Sequence, residues 1–196
     1  MASEGSPLIF VIKVGGSLFD LQGLGSKLET WLRSLPSQQI VIIPGGGSPA
    51  DAVRDFDRCH SLGDERAHWL ALAALSLNAR LLEGLLPGSK LVHERGACEA
   101  SWSAGLVPVL DPYPFVEADE RRQGSLPHCW TVTSDSIAAR VARIFGACQL
   151  ILLKSITIPP DLSWTEASRQ GYVDGFFPEA AAGLNVRAVN FRTWSP

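Results

Sequence analysis

Apolar residues in this chain fall into short unbroken runs, separated by glycine-rich or polar turns and by longer segments with helical spacing. Leu8-Ile9-Phe10-Val11-Ile12 is β-branched and aromatic without polar alternation, the pattern of a strand buried on both faces. Gln39 to Ile43 and Gln149 to Leu153 repeat it. Shorter strands are expected at Lys90 to His93, Leu106 to Leu110 and Asn185 to Asn190. Leu21, Leu24, Leu28, Trp31 and Leu32 stand near helical spacing, which predicts a helix over Asp20 to Ser34 that ends at Pro36. Further helices are expected over Ala50 to Asp57, Asp64 to Leu86 and Gly96 to Ala104, and from Thr133 or Ser134 to Gly146. The Asp64–Leu86 segment is rich in Ala and Leu and reads as a buried helix carrying His68, Trp69 and Asn78. Asp111-Pro112-Tyr113-Pro114 reads as the end of a strand, Glu117 to Gly124 as a solvated loop, and the chain after Lys154 as irregular up to the last strand. This β-α-β order predicts parallel strands joined by right-handed crossovers. A length of 196 residues suits a single α/β domain spanning residues 1–196.

Two of the apolar strands run into glycine turns. Lys13-Val14-Gly15-Gly16-Ser17 follows the first, and Pro44-Gly45-Gly46-Gly47-Ser48 follows the second. Glycine permits positive φ and close approach to the backbone, and amides at a helix start attract anions. Two facing phosphate cradles, one with a lysine, is one reading; two tight strand-to-helix turns is the other. The occurrence of both at the ends of two apolar strands favours phosphate chemistry. Ser48 is expected to cap the helix that follows, with Pro49 in its first turn. Asp51 and Arg54 lie three apart on that helix, near the mouth of the turn, where an arginine can fork onto a carboxylate or phosphate. They also suit an ordinary surface ion pair.

A third stretch, Trp130-Thr131-Val132-Thr133-Ser134-Asp135-Ser136, places hydroxyls and a carboxylate at a helix start. Thr133 and Ser134 fit N-capping, whereas Asp135 could orient two lysines or bind a substrate amine if the helix opens onto the same cleft. Lys154 stands at the carboxyl end of a buried strand, the end at which open parallel sheets bind ligands. Lys13, the Gly45 turn, Asp135 and Lys154 can therefore converge. His68, His128 and Cys129 read as packed or loop-flank residues.

Hydrophobic residues make up 46% and charged residues 19%, enough for a sizeable core. The net charge of −3 gives no general footprint for nucleic acid or an anionic membrane, so any phosphate site must rest on local donors. Cys59, Cys98, Cys129 and Cys148 form no C-x-x-C pair and match no zinc spacing, so no protein-held metal is expected. Met1 to Pro7 is a short polar lead without a basic n-region, and no run reaches membrane length. Free thiols in a reducing cytoplasm are the expected setting.

K-V-G-G-S at the first turn, P-G-G-G at the second and T-S-D-S at the helix start, taken in order, resemble the amino-acid kinase superfamily, which includes acetylglutamate, aspartate, uridylate and isopentenyl phosphate kinases. I-I-P-G-G-G followed by A-D-x-V-R (Ala50 to Arg54), Trp130 ahead of T-S-D-S, and V-D-x-x-F-P (Val173 to Pro178) are similar to the branch containing the aminomethylfuran-phosphate kinase of methanofuran biosynthesis, in one-carbon metabolism. The resemblance implies a three-layer αβα sandwich around a mainly parallel sheet. It also implies transfer of the γ-phosphoryl group of ATP, with Mg²⁺, to a small phosphorylated or carboxylated metabolite such as aminomethylfuran phosphate. Lys13 would sit on the transferring phosphoryl oxygens, and Gly15, Gly16, Ser17, Gly45, Gly46 and Gly47 would line the phosphate site, with Gly15, Gly16, Gly46 and Gly47 offering amides to that group and to the acceptor. Asp135 would hold the lysines or touch the acceptor, and Lys154 would meet the nucleotide. Asp51, Arg54, Trp130, Thr133 and Ser134 would face the acceptor. It further implies an acceptor part over about 8–132 with a nucleotide part over about 133–196, and a homo-oligomer. The family's T-D-V-D-G-[IV]-Y element is replaced here by Leu153-Lys154-Ser155-Ile156-Thr157-Ile158-Pro159-Pro160, so the nucleotide lobe is reduced. That departure leaves a second expectation open, a non-catalytic metabolite-binding or regulatory subunit on the same fold.

Overall fold

The structure is a computed structural model that describes residues 8–36 and 39–196. The polar lead inferred for residues 1–7 lies outside the described residues. Six parallel strands form one sheet: β1 (Ile9–Val14), β2 (Gln39–Pro44), β3 (Ser89–Val92), β4 (Val107–Leu110), β5 (Gln149–Lys154) and β6 (Val186–Asn190), in the order β3-β4-β2-β1-β5-β6. The central strands carry the unbroken apolar runs because helices cover both of their faces. Ile9, Val11, Val41, Ile43, Leu150 and Leu152 pack on one face; Phe10, Ile12, Val14, Ile42, Ile151 and Leu153 pack on the other. Lys13 and Lys154 continue the first set by strand alternation, so both side chains leave the sheet on the same face.

The helices are α1 (Leu24–Arg33), α2 (Gly47–His60), α3 (Asp64–Leu85), α4 (Arg95–Ser103), α5 (Pro112–Asp119), α6 (Ser134–Phe145), α7 (Trp164–Arg169) and α8 (Phe177–Ala180). Helix α1 starts later than the apolar spacing predicts, because Gly16–Leu18 forms a 3₁₀ turn directly after β1 and Gly23, at φ +75°, resets the chain. Helix α2 starts earlier than predicted: Gly46 precedes it, and Ser48 lies inside the first turn without capping. Helix α5 corrects the reading of Asp111–Pro114 as a strand end and of Glu117–Asp119 as loop. Asp111 accepts the Tyr113 amide and Pro112 opens the helix, a start signal that outweighed the charged tail. Helices α7 and α8 likewise replace expected irregular chain: Ser163 accepts the Glu166 amide in an S-x-x-E cap at α7, and Pro178 stands in the first turn of α8. Helix α3 is buried on one side only; Leu70, Leu77, Leu81 and Leu85 are exposed.

The two glycine turns touch. A Cβ on Gly16 would stand 2.1 Å from the Gly47 nitrogen, and one on Gly45 would stand 2.3 Å from the Gly16 nitrogen. No side chain fits between these backbones, and Gly47 also adopts φ +53°. Glycine is thus required here by turn-to-turn packing, before any ligand is considered.

Gly16→Ala is expected to push the turns apart and lower stability by about 1–3 kcal/mol in denaturant melts. Gly84→Ala, whose new Cβ would meet nothing within 4 Å, is expected to raise stability by up to about 0.5 kcal/mol in the same assay.

Candidate functional site

β1 has β2 on one side and β5 on the other, so the chain leaves β1 toward one half of the sheet and leaves β5 toward the other. The carboxyl ends of β1 and β5 therefore flank the switch point at which parallel sheets form a crevice. Lys13 and Lys154 emerge there, and the first turn of α6 brings Asp135 between them. Lys154 Nζ donates to Asp135 Oδ2 at 2.7 Å. Lys13 Nζ stands 2.9 Å from Oδ1, an ion contact that falls short of a well-directed hydrogen bond. Lys13 and Asp135 are each 4% exposed, so solvent screens this cluster little.

Burial alone would raise the Asp135 pKa, but the two ammonium groups outweigh it and hold the carboxyl down to about 2. Burial lowers Lys154 to about 8, Lys13 pushes in the same direction, and Asp135 opposes both. One carboxylate in contact with two ammonium groups leaves a positive charge unmatched at contact distance. That is a setting for an anion.

Asp174 completes the support, and sequence reasoning assigned it no role. Its carboxylate accepts the Thr133 amide at 3.0 Å, the Thr133 hydroxyl at 2.8 Å, the Ser136 amide at 3.0 Å and the Ser136 hydroxyl. The expected capping by Thr133 itself does not occur; its side chain bonds to Asp174, which caps the helix from a distant segment. Asp174 sits in the V-D-x-x-F-P stretch, the signal that could have marked it.

Asn78 is the second residue without an assigned role. Its buried amide donates to the Gly45 and Gly46 carbonyls, at 2.7 Å each. Both carbonyls of the second turn are thereby tied to α3. A lone amide on the buried side of an Ala/Leu-rich helix was the available clue. The Gly15 amide departs from the expectation that it would be offered to phosphate, and the Gly45 amide, in the expected phosphate site, is engaged in the same way. Gly15 donates to the Leu153 carbonyl at 2.8 Å and Gly45 to that of Val14 at 2.7 Å, so both amides serve the sheet. Gly16, Ser17, Gly46 and Gly47 instead line a cavity.

That cavity, of about 180 Å³, lies between the glycine turns, α2, α3 and the start of α6. Arg54, Trp130, Thr133 and Ser134 join its wall, with Leu72, Leu75 and Ile137 supplying apolar surface. Arg54 donates to Asp51 at 2.6 Å and lies 5.1 Å from the Trp130 ring centroid. Trp130 donates to Asp57 at 2.8 Å, which fixes its indole against α2. Asp51 is exposed and supports Arg54 rather than lining the cavity. His68 is packed as expected, buried against the Trp69 and His128 rings, and it also lines the cavity. Ser17 and Ser155 hydroxyls meet at 2.8 Å, joining the first glycine turn to the segment after β5.

A three-layer α/β architecture with a buried cationic cluster at the switch point and a lined cavity beside it defines a class of anion-handling sites. The chain belongs to the amino acid kinase family: residues 9–157 match the family's sequence profile. It is similar to the [5-(aminomethyl)furan-3-yl]methyl phosphate kinase of Methanocaldococcus jannaschii, with 23% identity over 149 residues, 74% of this chain and 65% of that protein. Among solved structures it resembles uridylate kinase from Archaeoglobus fulgidus, with a TM-score of 0.64, 16% identity and coverage of 93% of this chain and 90% of that one. It also resembles carbamate kinase from Giardia lamblia bound to AMP-PNP, with a TM-score of 0.56, 10% identity and coverage of 96% and 94%. These structural likenesses carry the fold. Among the described residues, no helix is long and apolar enough to cross a membrane.

Asp135→Asn leaves two buried ammonium groups without their shared counterion; a loss of about 3–5 kcal/mol in unfolding free energy is expected in urea melts. Lys154 carries its charge below about pH 8 and loses it above. Binding of inorganic phosphate, followed by calorimetry, is expected to weaken as pH rises through about 8, and Lys154→Arg is expected to flatten that profile.

Proposed function

We propose that this member of the amino acid kinase family is an ATP-dependent phosphotransferase whose acceptor is a small metabolite carrying a phosphate or carboxylate. The observation that carries the reading is the buried Lys13–Asp135–Lys154 cluster, with two cations to one anion in contact, beside a cavity walled by glycine turns. Phosphoryl transfer asks a protein mainly for positioning and for stabilisation of charge on the phosphoryl oxygens. In this reading the acceptor oxygen bonds to the γ-phosphorus, the bond to the bridging oxygen breaks, and ADP leaves. Lys13 and Lys154 offset the charge on the transferring oxygens, and Asp135 holds both ammonium groups in place. The glycine turns at Gly16 and at Gly46 and Gly47 face the phosphates, with Ser17 beside them. Arg54, Trp130, Thr133 and Ser134 border the acceptor. The acceptor part corresponds to about 8–132 and the nucleotide part to about 133–196.

Among the described residues, no group of three or more His, Cys, Asp or Glu side chains could hold a metal. Magnesium in this reading arrives on the phosphates of ATP, where it neutralises charge. The name of the M. jannaschii relative supports aminomethylfuran phosphate as the first acceptor to test.

Saturable binding of Mg·ATP by calorimetry, weakened at least about tenfold in Lys13→Ala, is the expected result. Formation of ADP that depends on the added acceptor is expected to follow. Absence of Mg·ATP binding at millimolar concentration would overturn the proposal.

A further inference from the structure

The cavity has two ends of different chemistry. Asn78 grips the second glycine turn, and His68 lies ten residues earlier on α3, roughly 15 Å along the helix axis. Leu75 and Leu72 line the wall between them, so the cavity runs from the glycine turns over apolar surface to His68. His68 is 6% exposed, and its Nε2 is buried with no hydrogen-bond partner among the described residues. A buried polar atom left unpaired gives up its bond to water with nothing in exchange, so such an atom calls for an explanation.

The surroundings of His68 are ordered and polar. Its ring stacks on that of His128, with centroids 4.3 Å apart and planes 11° from parallel. Glu65 and Glu120 bracket His128, at 2.7 Å from Nδ1 and 3.0 Å from Nε2, and Glu65 also accepts from the Trp69 indole. Carboxylates thus face both nitrogens of the ring stacked on His68, and this surplus of acidic groups beside the cavity wall favours a cation. Burial, helped by the charge of His128, lowers His68 to about 4, so its imidazole is neutral near pH 7 and keeps one free lone pair.

We propose that His68 selects an acceptor bearing a primary ammonium group, its unpaired Nε2 accepting a hydrogen bond from that group at the cavity end remote from the glycine turns. The acceptor class is then a small phosphate monoester with an amine across an apolar spacer, which Leu72 and Leu75 would face. This assignment rests on the phosphotransferase reading for the placement of the phosphate end. His68 is a specificity-determining residue here and takes no part in the transfer step.

The test is calorimetric titration with [5-(aminomethyl)furan-3-yl]methyl phosphate and with the analogue carrying methyl in place of aminomethyl. The wild-type chain is expected to bind the amine at least about tenfold more tightly, as a hydrogen bond to a charged group requires. His68→Phe keeps a stacking ring and removes both nitrogens; it is expected to bind the two compounds alike, at the affinity of the methyl compound. His68→Leu gives the same comparison without the ring, should phenylalanine disturb the stack. No preference in the wild type, a preference that survives in both variants, or binding of neither compound would overturn the assignment. A parallel Mg·ATP titration separates the two readings. Mg·ATP binding without amine preference overturns the role of His68 alone; amine preference without Mg·ATP binding overturns the phosphotransferase reading alone.

Discussion

One carboxylate shared by two ammonium groups sets the terms for the rest of this structure. Asp135 lies where solvent is excluded, and a carboxylate there is tolerated only with close positive partners. Those partners come from two adjacent strands, so the ends of β1 and β5 and the start of α6 are constrained to meet. Strand alternation aims Lys13 and Lys154 at one face, and the Asp174 cap fixes the first turn of α6 against it. The three elements are separated widely in sequence, yet each has little freedom once the other two are placed.

Much of the sheet was legible because its central strands are buried on both faces. Such strands must be apolar throughout, and the runs at Ile9–Ile12, Ile40–Ile43 and Leu150–Leu153 advertise that plainly. The convergence of Lys13, Asp135 and Lys154 was also legible, since the carboxyl ends of parallel strands gather on one edge. Helices α5 and α7 were not read, although a capping Asp followed by Pro, and an S-x-x-E box, stood in the sequence. There the charged or proline-rich composition resembles that of a loop, and only the capping residues mark the helix starts.

The roles of Asn78 and Asp174 were illegible for a different reason. Each acts on a segment far away in the chain, and neither spacing nor propensity records what a side chain meets across a fold. The glycine turns teach a related lesson. Glycine turns of this kind suggest amides offered to phosphate, yet the Gly15 and Gly45 amides complete the sheet. Gly16, Gly45 and Gly47 are glycines because two backbones press together, and any exposed amides there follow from that packing.

The grip of Asn78 on both carbonyls of the second turn has a consequence for how that turn would meet a charge. A peptide plane in a glycine-rich turn can ordinarily rotate, carrying its dipole with it. Here rotation would break hydrogen bonds to a buried amide. The polarity of the turn is thus built in when the chain folds. An arriving anion would find the dipoles already aligned, with no reorientation left to oppose it.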